Sequence, residues 1–308
     1  MSMAQSVAPI VCPGHSRPIV DIRFRRTSED SLDLLISACH DKTSQLRWAD
    51  NGAWIGTYKG HNGAVWSSAL DDSGQRALTG SADFSAKLWN ATTGEEMASF
   101  PHDHVVKAVD FSLDSNKFLS AGLEKKAHVY DIKNKARITT FVHPAQVSKA
   151  LWLSENTFIS GGYDSILRTW DVREPPGNTA SAITLEPASK KGVADIQFIP
   201  DQNAVITCLG RKILIFDLKT QKPKLEISVK FDVEAASLSP NGQKVVAGGS
   251  DLWLHVFELS ASTSAEEVSV HKGHHGPIFC TRWDTEGKSF ASGSEDGTIR
   301  IWPVSSIV

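Results

Sequence analysis

The sequence predicts an all-β protein, a seven-bladed β-propeller, and three observations predict it. Seven short runs along the 308-residue chain each end in an aromatic side chain, and consecutive run ends lie 40 to 46 residues apart. Each interval contains alternating or β-branched apolar stretches bounded by Asp, Gly, Asn and Ser, which is typical of strands joined by turns. No stretch sustains helical periodicity. A four-stranded repeat of about 40 to 45 residues is the unit of a propeller.

The repeat accounts for the whole chain, so we predict one domain over residues 1–308. Seven sheets placed radially leave only short strand edges exposed. The run ends are Trp48, Trp89, Tyr130, Trp170, Phe216, Phe257 and Trp302. The predicted blades are residues 19–58, 65–100, 106–142, 147–186, 193–229, 233–271 and 278–303, the last completed by residues 8–12.

The last blade needs a strand from elsewhere in the chain. Outer strands such as WIGTY before His61 stand just before the first histidine of the next unit, but only six residues follow Trp302. The segment APIVC, residues 8–12, stands at the same offset before His15. We therefore predict that residues 8–12 pair in the last blade and close the ring, which protects two strand edges.

The composition is that of an ordinary folded protein, with 41% hydrophobic and 22% charged residues. Thirty-two basic residues against 35 acidic ones leave a net charge of -3, so no overall positive field attracts phosphate backbones. No apolar run is long enough to span a bilayer, and the first ten residues do not form a secretion signal. We expect neither membrane insertion nor direct sequence-specific binding of nucleic acid.

The four cysteines are scattered and form no CxxC pair, which favours reduced thiols in the cytoplasm and nucleus over disulfides or a zinc site. The chain contains no P-loop, GxGxxG, GxSxG or HExxH motif. The histidines at 271, 274 and 275 lack a carboxylate or cysteine to complete a metal site. We expect no cofactor and no bound metal.

A polar set of His, Ser or Thr, Asp and Trp recurs in four of the seven units. The Asp precedes the Trp by six residues in three units and by seven in the first. Because buried polar side chains must satisfy one another, we interpret each set as a structural hydrogen-bond network. The four sets are His15, Ser37, Asp41 and Trp48; His61, Thr79, Asp83 and Trp89; His143, Ser160, Asp164 and Trp170; and His274, Ser292, Asp296 and Trp302.

The same side-chain types also form the triad of serine hydrolases, with a Ser nucleophile, a His base and an orienting Asp. A catalytic site occurs once in a chain, whereas this set occurs four times at the period of the fold. We therefore expect no enzymatic activity, and a hydrolase that uses one of the sets is a distant alternative. The other three units have lost members of the set, so apolar packing should hold their blades.

One face of the predicted propeller is a candidate partner-binding surface. The loops before the first strand and between the second and third strands of each blade meet there. Phe84 and Tyr163 lie beside turn aspartates, and aromatic and cationic side chains dominate interface hot spots. The alternative is that each aromatic ring packs over its own turn. The candidate residues are Arg17, Asn62, Phe84, Asp103, His104, Lys107, Lys125 and Tyr163.

The recurrent polar set resembles the hydrogen-bonded tetrad of the WD-repeat family, whose propellers bind partners through their loops. GHSRPIVDIRF and LLISACHDKTSQLR in the first unit, with KGHHGPIFCTRW and FASGSEDGTIRIW in the last, are similar to one branch of it. That branch is the family of the serine/threonine kinase receptor-associated protein, also called the unr-interacting protein, and the resemblance covers the whole chain.

This resemblance implies a seven-bladed WD-repeat propeller that acts as a non-enzymatic scaffold. It implies an accessory subunit of the SMN complex, which assembles spliceosomal small nuclear ribonucleoproteins. The implied partners are Gemin and other SMN-complex proteins, then receptor kinases and RNA-binding proteins, with the chain as a monomer inside the larger complex. The segment GTYKGHNGAVW also resembles the i subunit of eukaryotic translation initiation factor 3, which is the alternative function.

Overall fold

The computed structural model describes residues 8–27, 33–175, 178–179, 181–186, 191–260 and 264–304. These residues form 28 strands in seven four-stranded antiparallel sheets, with one turn of 3-10 helix at Pro200–Gln202. The predicted all-β, seven-bladed propeller is confirmed. Residues 1–7 and 305–308 of the predicted single domain lie outside the described residues. Within those residues, no helix is long and apolar enough to cross a membrane.

The strands are numbered in chain order, and each sheet is one blade. Strand β1 (Ile10–Cys12) precedes blade 1, which contains β2 (Ile19–Arg26), β3 (Asp33–Cys39), β4 (Thr43–Trp48) and β5 (Trp54–Lys59). Blade 2 contains β6 (Val65–Leu70), β7 (Arg76–Ser81), β8 (Ser85–Asn90) and β9 (Glu96–Pro101). Blade 3 contains β10 (Val106–Phe111), β11 (Lys117–Gly122), β12 (Lys126–Asp131) and β13 (Ala136–Val142).

The remaining four blades follow the same order. Blade 4 contains β14 (Val147–Trp152), β15 (Thr157–Gly162), β16 (Ile166–Asp171) and β17 (Ser181–Thr184). Blade 5 contains β18 (Asp195–Ile199), β19 (Ala204–Leu209), β20 (Lys212–Asp217) and β21 (Lys222–Ser228). Blade 6 contains β22 (Val233–Leu238), β23 (Lys244–Gly249), β24 (Leu254–Ser260) and β25 (Ser264–His271). Blade 7 contains β26 (Ile278–Trp283), β27 (Ser289–Ser294) and β28 (Ile299–Pro303), together with β1.

Burial explains the composition of the strands. In blade 3 the residues of β11 are almost all buried, whereas most residues of the outer strand β13 are exposed or half-buried. Neighbouring blades cover both faces of the inner strands, so these strands carry apolar or small residues at nearly every position. The outer strand forms the rim of the ring and keeps polar side chains.

The ring closes through β1. This strand pairs antiparallel with β28, with Ile10 opposite Ile301 and Cys12 opposite Ile299. Cys12 and Ile301 are both buried in the apolar core that blade 7 shares with blade 1. The predicted closure by the N-terminal strand is confirmed.

The first strands of the seven blades surround the central channel, because each contacts the first strands of the two neighbouring blades all the way round the ring. In six of the seven, the pairing register shifts at the second residue, which marks a β-bulge. A bulge redirects the side chain of the extra residue. Because these strands begin at one end of the channel, we call the six bulge residues the mouth residues. They are Val20, Trp66, Lys107, Ser148, Glu234 and Phe279.

Buried charges join distant blades deeper in the channel. Arg282 Nη2 of blade 7 donates to Asp195 Oδ1 of blade 5 over 2.7 Å. The amine of Lys149 in blade 4 lies 3.9 Å from carboxylate oxygens of both Asp195 and Asp21. Burial alone would raise the pKa of Asp21, but the positive charges of Lys149 and two arginines hold it below its ordinary value. Asp21 is therefore ionised, and the channel is lined with paired charges.

Candidate functional site

The recurrent polar set is a complete hydrogen-bonded chain in blades 2 and 7. In blade 2, His61 Nδ1 lies 2.7 Å from Asp83 Oδ2 and His61 Nε2 lies 2.7 Å from Thr79 Oγ1. Trp89 Nε1 donates to the same hydroxyl over 2.8 Å. The corresponding bonds of blade 7, each 2.8 to 2.9 Å, join His274, Ser292, Asp296 and Trp302.

The protonation states follow from burial and partners. Burial lowers the pKa of His61 and His274, although the adjacent aspartates oppose the shift. Burial alone would raise the pKa of Asp296, but hydrogen bonds from the His275 amide, the Thr298 hydroxyl and His274 lower it to about 2. At neutral pH each histidine is therefore neutral, donates from Nδ1 to an ionised carboxylate and accepts from the hydroxyl at Nε2.

This arrangement gives the hydroxyls no access to a substrate. Thr79 and Ser292 have no exposed surface, and each hydroxyl accepts a tryptophan N–H while it donates to the histidine. A nucleophile must approach the reacting carbon of a substrate directly. The geometry therefore argues against the hydrolase alternative in these two blades.

In blade 1, Trp48 is not the fourth member of the set. His15 bonds Asp41 over 2.8 Å and Ser37 over 2.9 Å, but no hydrogen bond joins Trp48 to Ser37 among the described residues. In strand pairing, Arg47 rather than Trp48 stands opposite the position two residues before Ser37, the place that Trp89 takes in blade 2. A one-residue shift turns a strand side chain to the other face of its sheet. The seven-residue spacing of blade 1 is the sign of this shift.

In blade 4 the predicted link between His143 and Asp164 is absent. His143 Nε2 lies 2.8 Å from Ser160 Oγ, and Trp170 donates to the same oxygen over 2.8 Å. The carboxylate of Asp164 instead accepts a 2.7 Å bond from Arg168, and His143 Nδ1 donates to the carbonyl oxygen two residues earlier. A charged guanidinium is a stronger partner for a carboxylate than a neutral imidazole, which explains the exchange.

Blades 3 and 6 also bond their turn acids within one hairpin. Glu124 accepts from His128 Nε2 over 3.1 Å, and Asp251 accepts from His255 Nε2 over 2.7 Å. In both cases the partner is four residues further along, as it is for Asp164 and Arg168 in blade 4. Blades 3, 4 and 6 therefore share a local link between a turn acid and a base on the third strand.

Blade 5 contains neither link. The sequence repeat places Gly210 at the position of the turn acid, but Leu209 pairs directly with Lys212. The hairpin is therefore closed by two residues, Gly210 and Arg211, and the longer turn that carries the acid in the other blades is missing. The left-handed φ of 58° at Gly210 suits such a tight turn.

Ligand atoms of His102, Glu124 and His128 lie within 4.8 Å of one another. His102 Nε2 already lies 2.7 Å from Ser120 Oγ, and the Lys126 amine lies 3.8 Å from Glu124. All three side chains thus have hydrogen-bond partners within the protein, His102 with Ser120 and Glu124 with His128, and a cation lies beside them.

The histidine cluster at 271, 274 and 275 is divided between two roles. His274 belongs to the network of blade 7, whereas the ring of His271 packs edge-on against Trp302 at 5.3 Å between centroids.

The eight predicted partner-binding residues lie on one face, at loops and strand starts. Arg17 and Asn62 precede first strands, Asp103, His104 and Lys107 precede or begin β10, and Phe84, Lys125 and Tyr163 lie in turns between second and third strands. Phe84 and Tyr163 are 45% and 38% exposed. The ring of Phe84 contacts His104 of the next loop at 5.3 Å between centroids, so it extends beyond its own turn. Asp103 pairs with Lys126 over 2.9 Å.

The sequence analysis did not single out Trp66. Lys107 Nζ lies 2.9 Å from the centroid of the Trp66 ring, and His40 packs edge-on against the same ring. Burial, and then the charge of Lys149, lower the pKa of Lys107 to about 7. The available signal was positional, since Trp66 and Lys107 are both second residues of first strands.

Comparison with known proteins also identifies WD repeats in this chain. Residues 52–90 and 265–303 match the family model described as WD domain, G-beta repeat. The chain is 39% identical over 298 residues to the serine-threonine kinase receptor-associated protein of Dictyostelium discoideum, covering 96% of this chain and 98% of that protein. The Homo sapiens protein of that name is 37% identical over 305 residues, 97% and 83% of the two chains. Subunit I of eukaryotic translation initiation factor 3 from Danio rerio is only 28% identical over 320 residues, 95% of each chain.

Proposed function

The chain belongs to the WD-repeat family of serine-threonine kinase receptor-associated proteins, and from that premise we propose that it is a non-enzymatic scaffold that assembles other proteins. One observation carries this proposal. The hydroxyls of the best candidate catalytic sets, Thr79 and Ser292, are buried in structural hydrogen bonds, while aromatic and cationic side chains are exposed on one face. A rigid ring with such a face serves recognition rather than chemistry.

The proposed assembly is the SMN complex, with the chain as an accessory subunit in the production of spliceosomal small nuclear ribonucleoproteins in the cytoplasm and nucleus. The family resemblance of the first and last units supports this assignment. The proposed partners are Gemin-type proteins, and the name of the relatives adds kinase receptors as a second class. The lower identity to the initiation factor subunit makes a translation role the weaker alternative.

Affinity purification of the tagged full chain from its own cells tests the proposal. We expect Gemin and Sm proteins to co-purify, and recovery of initiation-factor subunits in their place would overturn it. Phe84→Ala with Lys107→Glu should reduce capture at least tenfold, about 1.4 kcal/mol. The matched control on the opposite face is Leu113→Ala with Lys117→Glu, since Leu113 is 51% exposed. Loss of capture in the control alone would place the binding site on that other face.

A further inference from the structure

We propose that the face of blades 1 to 3 binds an acidic segment of a partner protein, at the channel mouth and the adjoining turns. The site comprises four cations, Arg17, Lys42, Lys107 and Lys125, which we call the basic arc, together with Phe84. This inference rests on the scaffold function proposed above and gives the chemistry of the docked segment.

The charges of this face are unevenly paired. Among the described residues, no member of the basic arc lies within salt-bridge distance of a carboxylate, and Arg17, Lys42 and Lys125 are exposed. Across the ring on the same face, Lys191 pairs with Glu234 over 2.6 Å and Arg211 pairs with Asp232 over 3.3 Å. The four cations of the basic arc therefore have no internal counter-ions, whereas Lys191 and Arg211 on the other side of the ring do.

Lys107 is the clearest case of a missing counter-ion. Its bulge position sends the side chain to the channel mouth, where the amine rests on the Trp66 ring. A cation over an aromatic ring recovers only part of the hydration that burial removes. The lowered pKa of Lys107 agrees with this deficit. A carboxylate from a partner would supply the absent charge at a half-buried position, where such a contact is stronger than on an open surface.

The turns next to the mouth hold large side chains in a costly backbone conformation. Lys42, Phe84 and Lys125 have φ angles of 73°, 66° and 60°, and the same turn position in blade 7 is Gly297 with φ 75°. Left-handed φ is strained for residues with a Cβ and free of strain for glycine. Blades 4 and 6 hold Ser165 and Leu252 in the same conformation, with φ angles of 60° and 71°, so the left-handed turn is general to this fold. Blades 1 to 3 differ in placing two lysines and one aromatic ring at this position.

The composition of the surface favours a peptide over a nucleic acid. The basic arc is small, it is interrupted by the exposed ring of Phe84 and the acid Asp103, and the whole chain carries a net charge of -3. A phosphate backbone requires a longer positive track. The geometry points to a short acidic segment with an apolar residue that packs on Phe84.

Fluorescence anisotropy with the full-length protein tests this site. The probe is a short fluorescein-labelled peptide of Asp and Glu around one Phe, and the comparison peptide carries Asn and Gln in their place. We expect the wild type to bind the acidic peptide in preference, with affinity that falls as ionic strength rises.

The decisive variant is Lys42→Gly with Lys125→Gly. It removes two cations and relieves two left-handed residues, so we expect at least a tenfold loss of peptide affinity with an unchanged or raised melting temperature. Its matched control is Lys191→Gly with Arg211→Gly, which removes the same charge from the same face but takes cations that are already paired. The control should change affinity less than about twofold. A third variant, Lys107→Gln, should weaken binding in the same direction.

Three results would overturn the inference. They are equal binding of the acidic and amide peptides, equal losses in the two double variants, and tighter binding of single-stranded oligouridine through the same lysines. The test is separate from that of the scaffold function. Failure of the peptide with intact capture of Gemin proteins would remove only the acidic site, whereas peptide binding without such capture would remove the assembly role.

Discussion

Two arcs of the ring hold their turns in different ways. In blades 7, 1 and 2 the turn aspartate bonds a histidine 22 to 26 residues earlier in the chain, in the loop that enters the blade. In blades 3, 4 and 6 the turn acid bonds a base only four residues away, and blade 5 has no acid at this position. The first arc therefore couples each turn acid to the connection from the previous blade, while the turn acids of the second arc bond a base within their own hairpin.

Apolar packing accompanies the loss of the long-range link. In blade 3 the ring of Phe118 stacks on Tyr130 at 4.8 Å and meets Phe100 at 4.7 Å between centroids. Blades 5 and 6 share a large core rich in Ile and Val, including Ile206, Ile213 and Val245. Because close-packed apolar contacts stabilise a sheet without directional bonds, the blade geometry survives without the polar set. Blades 3 to 6 therefore show that a blade keeps its four strands without the long-range bond of the turn acid.

The largest expected loss of stability comes from removing β1, the strand that closes the ring in blade 7. Deletion of residues 1–13 removes β1 and exposes the edge of β28, so we expect insoluble protein or a large fall in the thermal midpoint. The matched control is deletion of residues 1–7, which leaves β1 in place and should preserve the midpoint. Closure by β1 would be contradicted if the longer deletion melted like the full chain.

We expect blades 3 and 4, in the second arc, to lose stability as the pH falls. Burial lowers the pKa values of His102 and His143 to about 4, so the native state resists protons that the unfolded chain accepts near the ordinary value of about 6.5. Stability from these histidines is therefore complete at neutral pH and is lost as the pH falls toward 4, on the order of 3 kcal/mol for each histidine. Urea unfolding at several pH values measures this dependence.

A variant assigns that acid sensitivity to particular residues. His102→Gln with His143→Gln should be less stable at pH 7 but should lose less stability between pH 6.5 and about 4.5 than the wild type. An equal loss over this range would locate the titrating groups elsewhere. Below about pH 4 the tetrad aspartates begin to titrate as well, since the pKa of Asp296 is about 2.

The smallest effect compares equivalent turn acids in the two arcs. Asp296→Ala leaves a buried histidine without its acceptor and should lower the free energy of unfolding by about 1 to 3 kcal/mol. Asp251→Ala removes a bond at the third strand of blade 6, where His255 keeps a second carboxylate, Glu267, at 3.2 Å. We expect its cost to be about 1 kcal/mol smaller. Chemical denaturation measures the free energy of unfolding of both variants. Equal losses would mean that the long-range bond of Asp296 contributes no more stability than the local bond of Asp251.

The fold could be predicted from the sequence because its period is visible in every unit. Even blade 5, which lacks the polar set, keeps the spacing of apolar strands. Residues 8–12 stand at the offset of an outer strand before His15, which predicted the closure by β1. These signals depend on period and length, which local substitutions do not disturb.

The site was less predictable because it depends on register and on competition between partners. Arg47 rather than Trp48 occupies the tetrad position because one inserted residue changes the face of a strand. Asp164 has two possible partners, and only the structure shows that Arg168 is the one bound. The bulges that bring Trp66 and Lys107 together leave no mark in the alternation of apolar residues.

The pairing of β1 with β28 also determines when the ring can close during synthesis. On the ribosome, Ile10–Cys12 is made before blades 1 to 6 and its partner Ile299–Pro303 after them, so β1 has no strand to pair with while nearly 300 residues are added. At about 5 to 20 residues per second this wait is roughly 15 to 60 seconds. All residues of blades 1 to 6 have been synthesised before β1 can pair with β28 and close the ring. If blades 1 to 6 fold as they are made, β1 keeps an unpaired edge until β28 follows, and an unpaired strand edge of this kind is exposed to aggregation.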